Sequence, residues 1–448
     1  MSTSSISKYQ SGSLGEVWQI SYPLILTALS SNLMLFCDRL ILAQYSLLAM
    51  NATATIGLIC TIFQYGGLAL TGIATVFVGQ YNGAKEFKKL AAPVWQMIWF
   101  ALMLCILFWP LTIIGPKLFI PDNFLTEGTG YFRWLMFFSC LPPLIAAVAS
   151  FFIGRGTAKI VTVAAIIANI INLMLDIILI YYLGTVGAAI ATVVAQIIQV
   201  IILFYVFLNP ENTRKFATRI YKFNRELFIK CLKVGFPASI SHLMELSGWA
   251  TLTVFLASVG TDYITVNTIG QNCMFLCLFF NDGLQKGITA IAANMLGSKT
   301  AHLIPKLLKS AFLLHGIVII SLFIPLWIYP EYLLDLFLND THLAQSELIS
   351  YAMIALKGLW CWYALEGAVW IIAGVLFAGE DTKFIMYANT INTWIFAVLP
   401  AIIWTKYFVG TPEISWGYIA PLYGTISACA FIWRYKSGKW NSRTSTHS

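Results

Sequence analysis

Charge is what this sequence has least of. Asp, Glu, Lys and Arg make up 10% of its 448 residues, where a soluble domain carries about a quarter. Hydrophobic residues make up 59%, and the mean hydropathy is +0.79. A soluble globular enzyme is excluded, and the apolar runs are of helix rather than strand length, so the expected class is all-α integral membrane protein. Other absences narrow the function. There is no GxxxxGK[ST] loop, hence no built-in ATPase. HExxH and GxSxG are missing, as are a pore-filter signature and a fourfold repeat. The chain is expected not to be an enzyme, and its energy source must be an ion gradient. The nine cysteines (37, 60, 105, 140, 231, 273, 277, 361 and 429) sit mostly inside apolar runs without CxxC or metal spacing. Cys273 and Cys277 share a helix face, which reads as two buried small residues. Residues 1–13 are polar with a single Lys8, and the first apolar run is too long for a signal-peptide core, so no cleavable signal is expected.

What is present is twelve apolar spans, approximately 16–43, 48–74, 91–115, 130–153, 159–183, 186–208, 229–257, 262–290, 306–330, 348–377, 383–408 and 412–436. Several exceed the ~20 residues a bilayer needs and must tilt, kink or protrude. Basic residues gather in loops after even-numbered spans: Lys85, Lys88 and Lys89; Arg155 and Lys159; Arg214 to Arg225; Lys299, Lys306 and Lys309; and Arg434, Lys436, Lys439 and Arg443. Loops after odd-numbered spans hold little beyond Lys117, Arg133 and Lys406, and segment 331–347 is acidic, with Glu331, Asp335, Asp340 and Glu347. Positive loops stay inside, so both termini are expected in the cytoplasm, in the plasma membrane, or the inner membrane of a Gram-negative bacterium. The net charge of +8 reflects these loops and not nucleic-acid affinity.

The longest basic loop divides the chain in two. The expected organisation is a tail (1–15), an N-lobe of six spans (16–208), a basic linker (209–228), a C-lobe of six spans (229–436) and a second tail (437–448). The halves resemble each other: Pro23 and Pro237 are 214 residues apart, as are Gly83 and Gly297, and WPLTIIGPKLF from Trp109 matches IPLWIYPEYLL from Ile324 at 215. Six is even, so the halves are parallel repeats about an axis along the membrane normal, an architecture of transporters with a site between two bundles.

Four acids lie deep in apolar runs with no basic partner evident: Asp38, Asp176, Glu245 and Glu366. A carboxylate at membrane depth costs at least ~2.5–3.5 kcal/mol, so each should face a partner or a wet cavity. Asn172 and Asp176 share a helix face one turn apart, and Asp38 diverges from Arg39 by roughly 100°, leaving it free to point inward. The alternative for Asn172 is a helix-packing hydrogen bond, and Thr192, among Gly187, Ala188, Ala189 and Ala191, is ordinarily a packing residue. Together Asp38, Asn172, Asp176 and Thr192 offer the hard oxygens that Na⁺ or a shared proton requires. Glu245 follows His242 by three residues. Glu366 lies among Trp360, Trp362, Tyr363 and Trp370, a patch that suits an organic cation, although interfacial Trp belts are common. Asp282 has Lys286 four residues on, which reads as a structural ion pair.

These residues resemble the multidrug and toxic compound extrusion (MATE) family from Val17 to about Tyr435. The carriers are VWQISYPLIL, Asp38, GQYNGAK at 79–85, GRGTAK at 154–159, NIINLMLD at 169–176 and GAAIAT at 187–192. The resemblance implies a cation or proton site at Asp38, Asn172, Asp176 and Thr192, and C-lobe acids at Glu245 and Glu366. Where the family often has Asp with Tyr one turn earlier, this chain has Glu366 after Trp362, with Tyr363 out of step, so a proton or substrate role for Glu366 is implied rather than Na⁺. The usual Leu-Arg-Gly after span ten is replaced by LFAGEDTK.

The expected function is H⁺- or Na⁺-coupled antiport exporting organic, cationic or amphipathic compounds, by a monomer with no cofactor and no nucleic-acid partner. The alternative within the superfamily is a lipid-linked precursor flippase, which tends to have a basic cavity. A membrane-embedded enzyme or receptor predicts no duplication and a nucleophile–base pair; neither expectation fits the sequence.

Overall fold

The computed structural model describes residues 6–335, 346–408 and 410–441; Asp340 and Arg443, named above, lie outside them. Among the described residues, eleven helices are long and apolar enough to cross a membrane: α1 Leu14–Tyr45, α2 Leu47–Gly83, α3 Phe87–Phe108, α4 Asp122–Gly154, α5 Lys159–Leu183, α6 Thr185–Phe207, α7 Arg225–Val259, α8 Thr261–Gly297, α9 Ala301–Ile328, α10 Glu347–Ala378 and α11 Thr382–Tyr407. The twelfth span, a π-helical turn Ile414–Ile419 running into α12 Ala420–Lys436, is less apolar because Ser, Gly, Tyr and Trp recur along it. With α2 and α8 reaching Gly83 and Gly297, both overrun the expected ends by about two turns, where polar residues carry the helix beyond the apolar run.

Local signals set the boundaries. Ser13 caps α1, its Oγ accepting from the Glu16 amide, and the Glu16 carboxylate reaches back to the Gly12 N–H at 2.6 Å, a reciprocal cap that satisfies orphan donors. Gly184, at φ +57, makes the one-residue turn between α5 and α6, a left-handed conformation glycine adopts without steric cost. Pro23 lies inside α1, where a proline disrupts backbone pairing. Its own carbonyl accepts from Thr162 Oγ1 of α5 at 2.6 Å and from Thr27 Oγ1 at 2.9 Å, which ties α5 to α1 at the proline. Regular helix ends at Phe108 in α3 and at Phe323 in the matching α9, 215 residues on.

Helices α1–α6 and α7–α12 form two lobes that exchange part of their first helices. Val17, Ile20 and Ile25 of α1 are buried in the C-lobe core with Leu284, Ile288 and Leu307. Cys231 and Val234 of α7 are buried in the N-lobe core with Leu70, Val94 and Phe151. Positions 17 and 231, and 20 and 234, are again 214 apart. The lead-ins cross over as well. Ser310 Oγ of α9 donates to the Gly12 carbonyl at 2.8 Å, and at the matching position Gln96 of α3 accepts from the Asn224 N–H at 3.0 Å and donates to the Lys222 carbonyl at 3.1 Å.

The described ends of the chain lie on one face, called here the terminal face, with Ile6 against Gly156, Gly12 against Ser310 and Trp440 against Gly379; these are the loops after even-numbered helices and the end of α10. There the lobes are closed. Gln80 Nε2 donates to the Ala378 carbonyl at the end of α10 (3.0 Å), and Asn294 Nδ2, its counterpart 214 residues on, donates to the Gly154 carbonyl at the end of α4 (2.7 Å). Arg155 on this face is clamped between the Phe151 and Phe216 rings, and burial lowers its guanidinium to about 10. Toward the opposite face the lobes part. Among the described residues no hydrogen bond joins them beyond Ser239 Oγ to the Gly66 carbonyl (2.8 Å), and the far halves of α1, α2, α7 and α8 carry exposed Phe36, Leu58, Val254 and Phe275. A cleft opens between α1–α2 and α7–α8 away from the terminal face.

Candidate functional site

The N-lobe brings Asp38, Asn172 and Asp176 together. Helix α1 supplies Asp38 and α5 supplies the other two, both fully buried. The small side chains at Gly187, Ala188, Ala189 and Ala191 let α6 pack close to α5. Turned so that its nitrogen meets the acids, the Asn172 amide donates to Asp38 Oδ1 and Asp176 Oδ2, each at 3.1 Å, and its oxygen accepts from the Thr192 backbone N–H at 3.2 Å. The amide thus bridges the Asp38 and Asp176 carboxyls, and Asp176 Oδ1 is buried with no hydrogen-bond partner among the described residues. Two carboxylates this close, one of them fully buried, repel; one proton shared between them, or a cation, relieves the repulsion. Thr192 joins through its backbone, because its hydroxyl donates to its own helix at Ala188 (3.0 Å). With the amide turned the other way its oxygen joins the two carboxylates, so the same residues can serve a proton shared between the acids or a cation held by converging oxygens.

The C-lobe brings Glu245 of α7 and Glu366 of α10 to one enclosed cavity of about 30 Å³, lined also by Ser241, His242, Gln285 and Asn389, room for a water or two. Trp370 Nε1 donates to Glu366 Oε1 at 2.9 Å, and Glu366 Oε2 is buried with no partner. The other aromatics face elsewhere. Trp362 packs edge-on against Trp416 of the α12 lead-in at 5.7 Å, and the Tyr363 hydroxyl reaches Asn281 Oδ1 (3.3 Å) and the Cys277 carbonyl (3.4 Å). Neither lines the cavity. The expected aromatic patch around Glu366 reduces to Trp370, because Trp362 and Tyr363 are drawn into the packing of α10 against α12 and α8.

Sequence reasoning misses two tyrosines. Tyr131 of α4 lies within electrostatic reach of Asp38 and Asp176, and Tyr423 of α12 stands in the same relation to Glu245 and Glu366. Both sit in aromatic-rich runs indistinguishable from an interfacial belt. His315 of α9 is missed too: its ring fills the space a side chain at Gly367 would take, and its Nε2 meets the Ala364 carbonyl at 3.2 Å, bracing the turn of α10 that carries Glu366. Asp282 and Lys286 do pair, at 2.6 Å.

A two-lobed, twelve-helix bundle with buried acids in each lobe and a cleft between them is the architecture of a membrane transporter. The MatE family model matches residues 23–178 and 237–403, one copy beginning at each of the two paired prolines. The chain belongs to the MatE family of multidrug and toxic compound extrusion transporters. It is 23% identical to "Probable multidrug resistance protein YoeA" of Bacillus subtilis, over 95% of this chain and 96% of that one. It is 22% identical to "Probable multidrug resistance protein NorM" of Thermotoga maritima, over 94% and 92%. Its fold matches a solved structure described as the outward-facing conformation of a multidrug resistance MATE family transporter, with a TM-score of 0.83 at 16% identity, covering 98% and 99% of the chains.

Proposed function

We propose that this protein exports organic cationic or amphipathic compounds in exchange for inward-moving protons, by alternating access of the cleft to the two sides of the membrane. The observation that carries the reading is the pairing of the Asp38 and Asp176 carboxyls across the Asn172 amide, with Asp176 fully buried, since two carboxylates held side by side resist being charged together. Taking up a proton from the cleft when it is open outward, and losing it when open inward, couples the gradient to lobe movement. Glu245 and Glu366 supply a second acidic site, where an organic cation or a further proton binds. The positive loops support a cytoplasmic terminal face, and with that orientation the closed seam corresponds to an outward-open state. The relatives' names, multidrug resistance proteins, support export of many compounds. Transport in proteoliposomes with ΔpH and ΔNa⁺ imposed separately tests this: efflux of a cationic dye should follow ΔpH. Efflux that follows ΔNa⁺ alone assigns Na⁺ as the coupling ion, and efflux with neither gradient excludes coupling.

A further inference from the structure

The Asp282–Lys286 pair does not behave as a structural ion pair should. Such a pair in a membrane protein is covered on folding, since charge facing lipid is costly. Here the Lys286 side chain is 50% exposed and that of Asp282 33%. The exposed face of α8 that carries them also presents Thr268, Asn272, Phe275 and Phe279 at helical spacing. A face with this much polarity belongs to water in the cleft and not to lipid tails.

Its depth follows from the duplication. Helices α2 and α8 run in the same direction and meet where Gly79 faces Ala293. Lys286 lies seven residues, or ~10 Å of helix rise, from that contact, and Gly72 is its counterpart on α2. A side chain at Gly72 would find nothing within 4 Å. Gly283 and Gly287, which flank the pair's face, are pressed against Ile25 and Ser21 of α1. The pair therefore stands at the floor of the cleft, where the closed seam ends and open space begins. Tyr65 of α2 is half-exposed across from it, within electrostatic reach of both charges.

The pair has no counterpart in the other half. Its positions in the N-lobe are Leu68 and Gly72, so a nearly symmetric cleft carries an asymmetric charge. Among the described residues Lys286 Nζ has one hydrogen bond, to Asp282 Oδ2, and an ammonium has three N–H groups. Next along the helix, Gln285 lines the cavity of Glu245 and Glu366. The acidic C-lobe cavity thus adjoins α8 at the residue beside the ammonium.

We propose that Lys286, oriented by Asp282 at the floor of the inter-lobe cleft, is the docking point for the anionic group of a transported amphipath. Asp282 holds the ammonium in place, and a ligand carboxylate takes the free N–H groups, with Tyr65 able to donate a further hydrogen bond. An amphipath carrying both charges would place its cation toward Glu245 and Glu366. This deepens the export reading by naming a substrate feature, and rests on it only for transport and not for binding.

The test uses two dyes that differ at one group: rhodamine 6G, a cationic ester, and rhodamine 19, its zwitterionic free acid. Binding to the purified full-length protein is read by fluorescence anisotropy, and efflux is read in proteoliposomes. Lys286→Met should weaken rhodamine 19 binding about tenfold and change rhodamine 6G less than twofold, which also shows that the variant is folded. Lys286→Arg should keep rhodamine 19 binding, and Asp282→Asn should leave it as tight or tighter. Equal affinity of wild type and Lys286→Met for rhodamine 19, no wild-type binding of it, or an equal loss of both dyes overturns the proposal. So does a loss in Asp282→Asn as large as in Lys286→Met. Wild type that binds both dyes and moves neither refutes export while the binding assignment stands.

Discussion

Gly83 and Gly297 are equivalent residues of the two lobes, and each is pressed against the helix that carries the other. Gly83 abuts the Asn294 carbonyl of α8, and Gly297 abuts the Gln80 carbonyl of α2. Positions 80 and 294 are themselves 214 apart, so one contact is the symmetry copy of the other. The seam closes because neither glycine has a side chain.

Gly297→Val, or Gly83→Val, should therefore hold the terminal face apart. Spin labels placed at positions 85 and 299 should report a longer distance, and efflux should fall with insertion unchanged. Gly316→Ala, where a side chain meets nothing within 4 Å, is the control and should transport normally. An unchanged label distance in Gly297→Val would remove the seam from the gating mechanism.

Asp176→Asn should abolish ion-coupled efflux while the protein stays inserted. Thermal stability should hold or rise, because a buried charge and its desolvation cost are gone. Asp38→Asn should do the same, and the double variant should be no worse than either single one, since members of one unit are not additive. Wild-type efflux in Asp176→Asn at normal expression would return this pair to a packing role.

Glu366→Gln should weaken efflux of cationic compounds more than of neutral ones, while Trp370→Phe, which deletes one hydrogen bond at 2.9 Å, should have a smaller effect in the same direction. Parallel loss of cationic and neutral efflux would instead assign Glu366 to coupling.

Thr162→Val removes the hydroxyl that caps the Pro23 carbonyl at 2.6 Å. The expected loss is about 1 kcal/mol, seen as a lower unfolding temperature in detergent. Stability equal to wild type would show that Thr27 alone satisfies that carbonyl.

A tag on Ser448, or thiol labelling of an engineered cysteine on the terminal face, should report a cytoplasmic location. Labelling from outside intact cells would invert the topology and with it the direction assigned to the open cleft.

Much of this architecture is legible in the order of the residues. Span number, the two lobes and the pairing of Pro23 with Pro237 follow from hydropathy and one constant offset. Asp38, Asn172 and Asp176 group together because a charge deep in an apolar run demands company. Orientation around a helix is harder to read. Trp362 is one turn from Glu366, yet packing against Trp416 decides where its ring lies, and no pattern along α10 encodes a partner on another helix. Tyr131 and Tyr423 stay hidden for the same reason. The spacing of Asp282 and Lys286 does reveal a pair, but whether a pair is covered or bare depends on the gap between lobes, which local spacing does not contain.

The exchanged halves of α1 and α7 bear on how the protein is made. Residues 231 and 234 complete the core of the first lobe, yet they leave the ribosome only after all six of its own helices and the whole linker. Until then Leu70, Val94 and Phe151 lack part of their packing. Residues 17, 20 and 25, synthesised first, wait still longer, until α8 and α9 arrive. The half-length product ending at residue 208 is thus an unfinished body rather than an independent one. Separately expressed halves should be degraded alone and rescued when produced together.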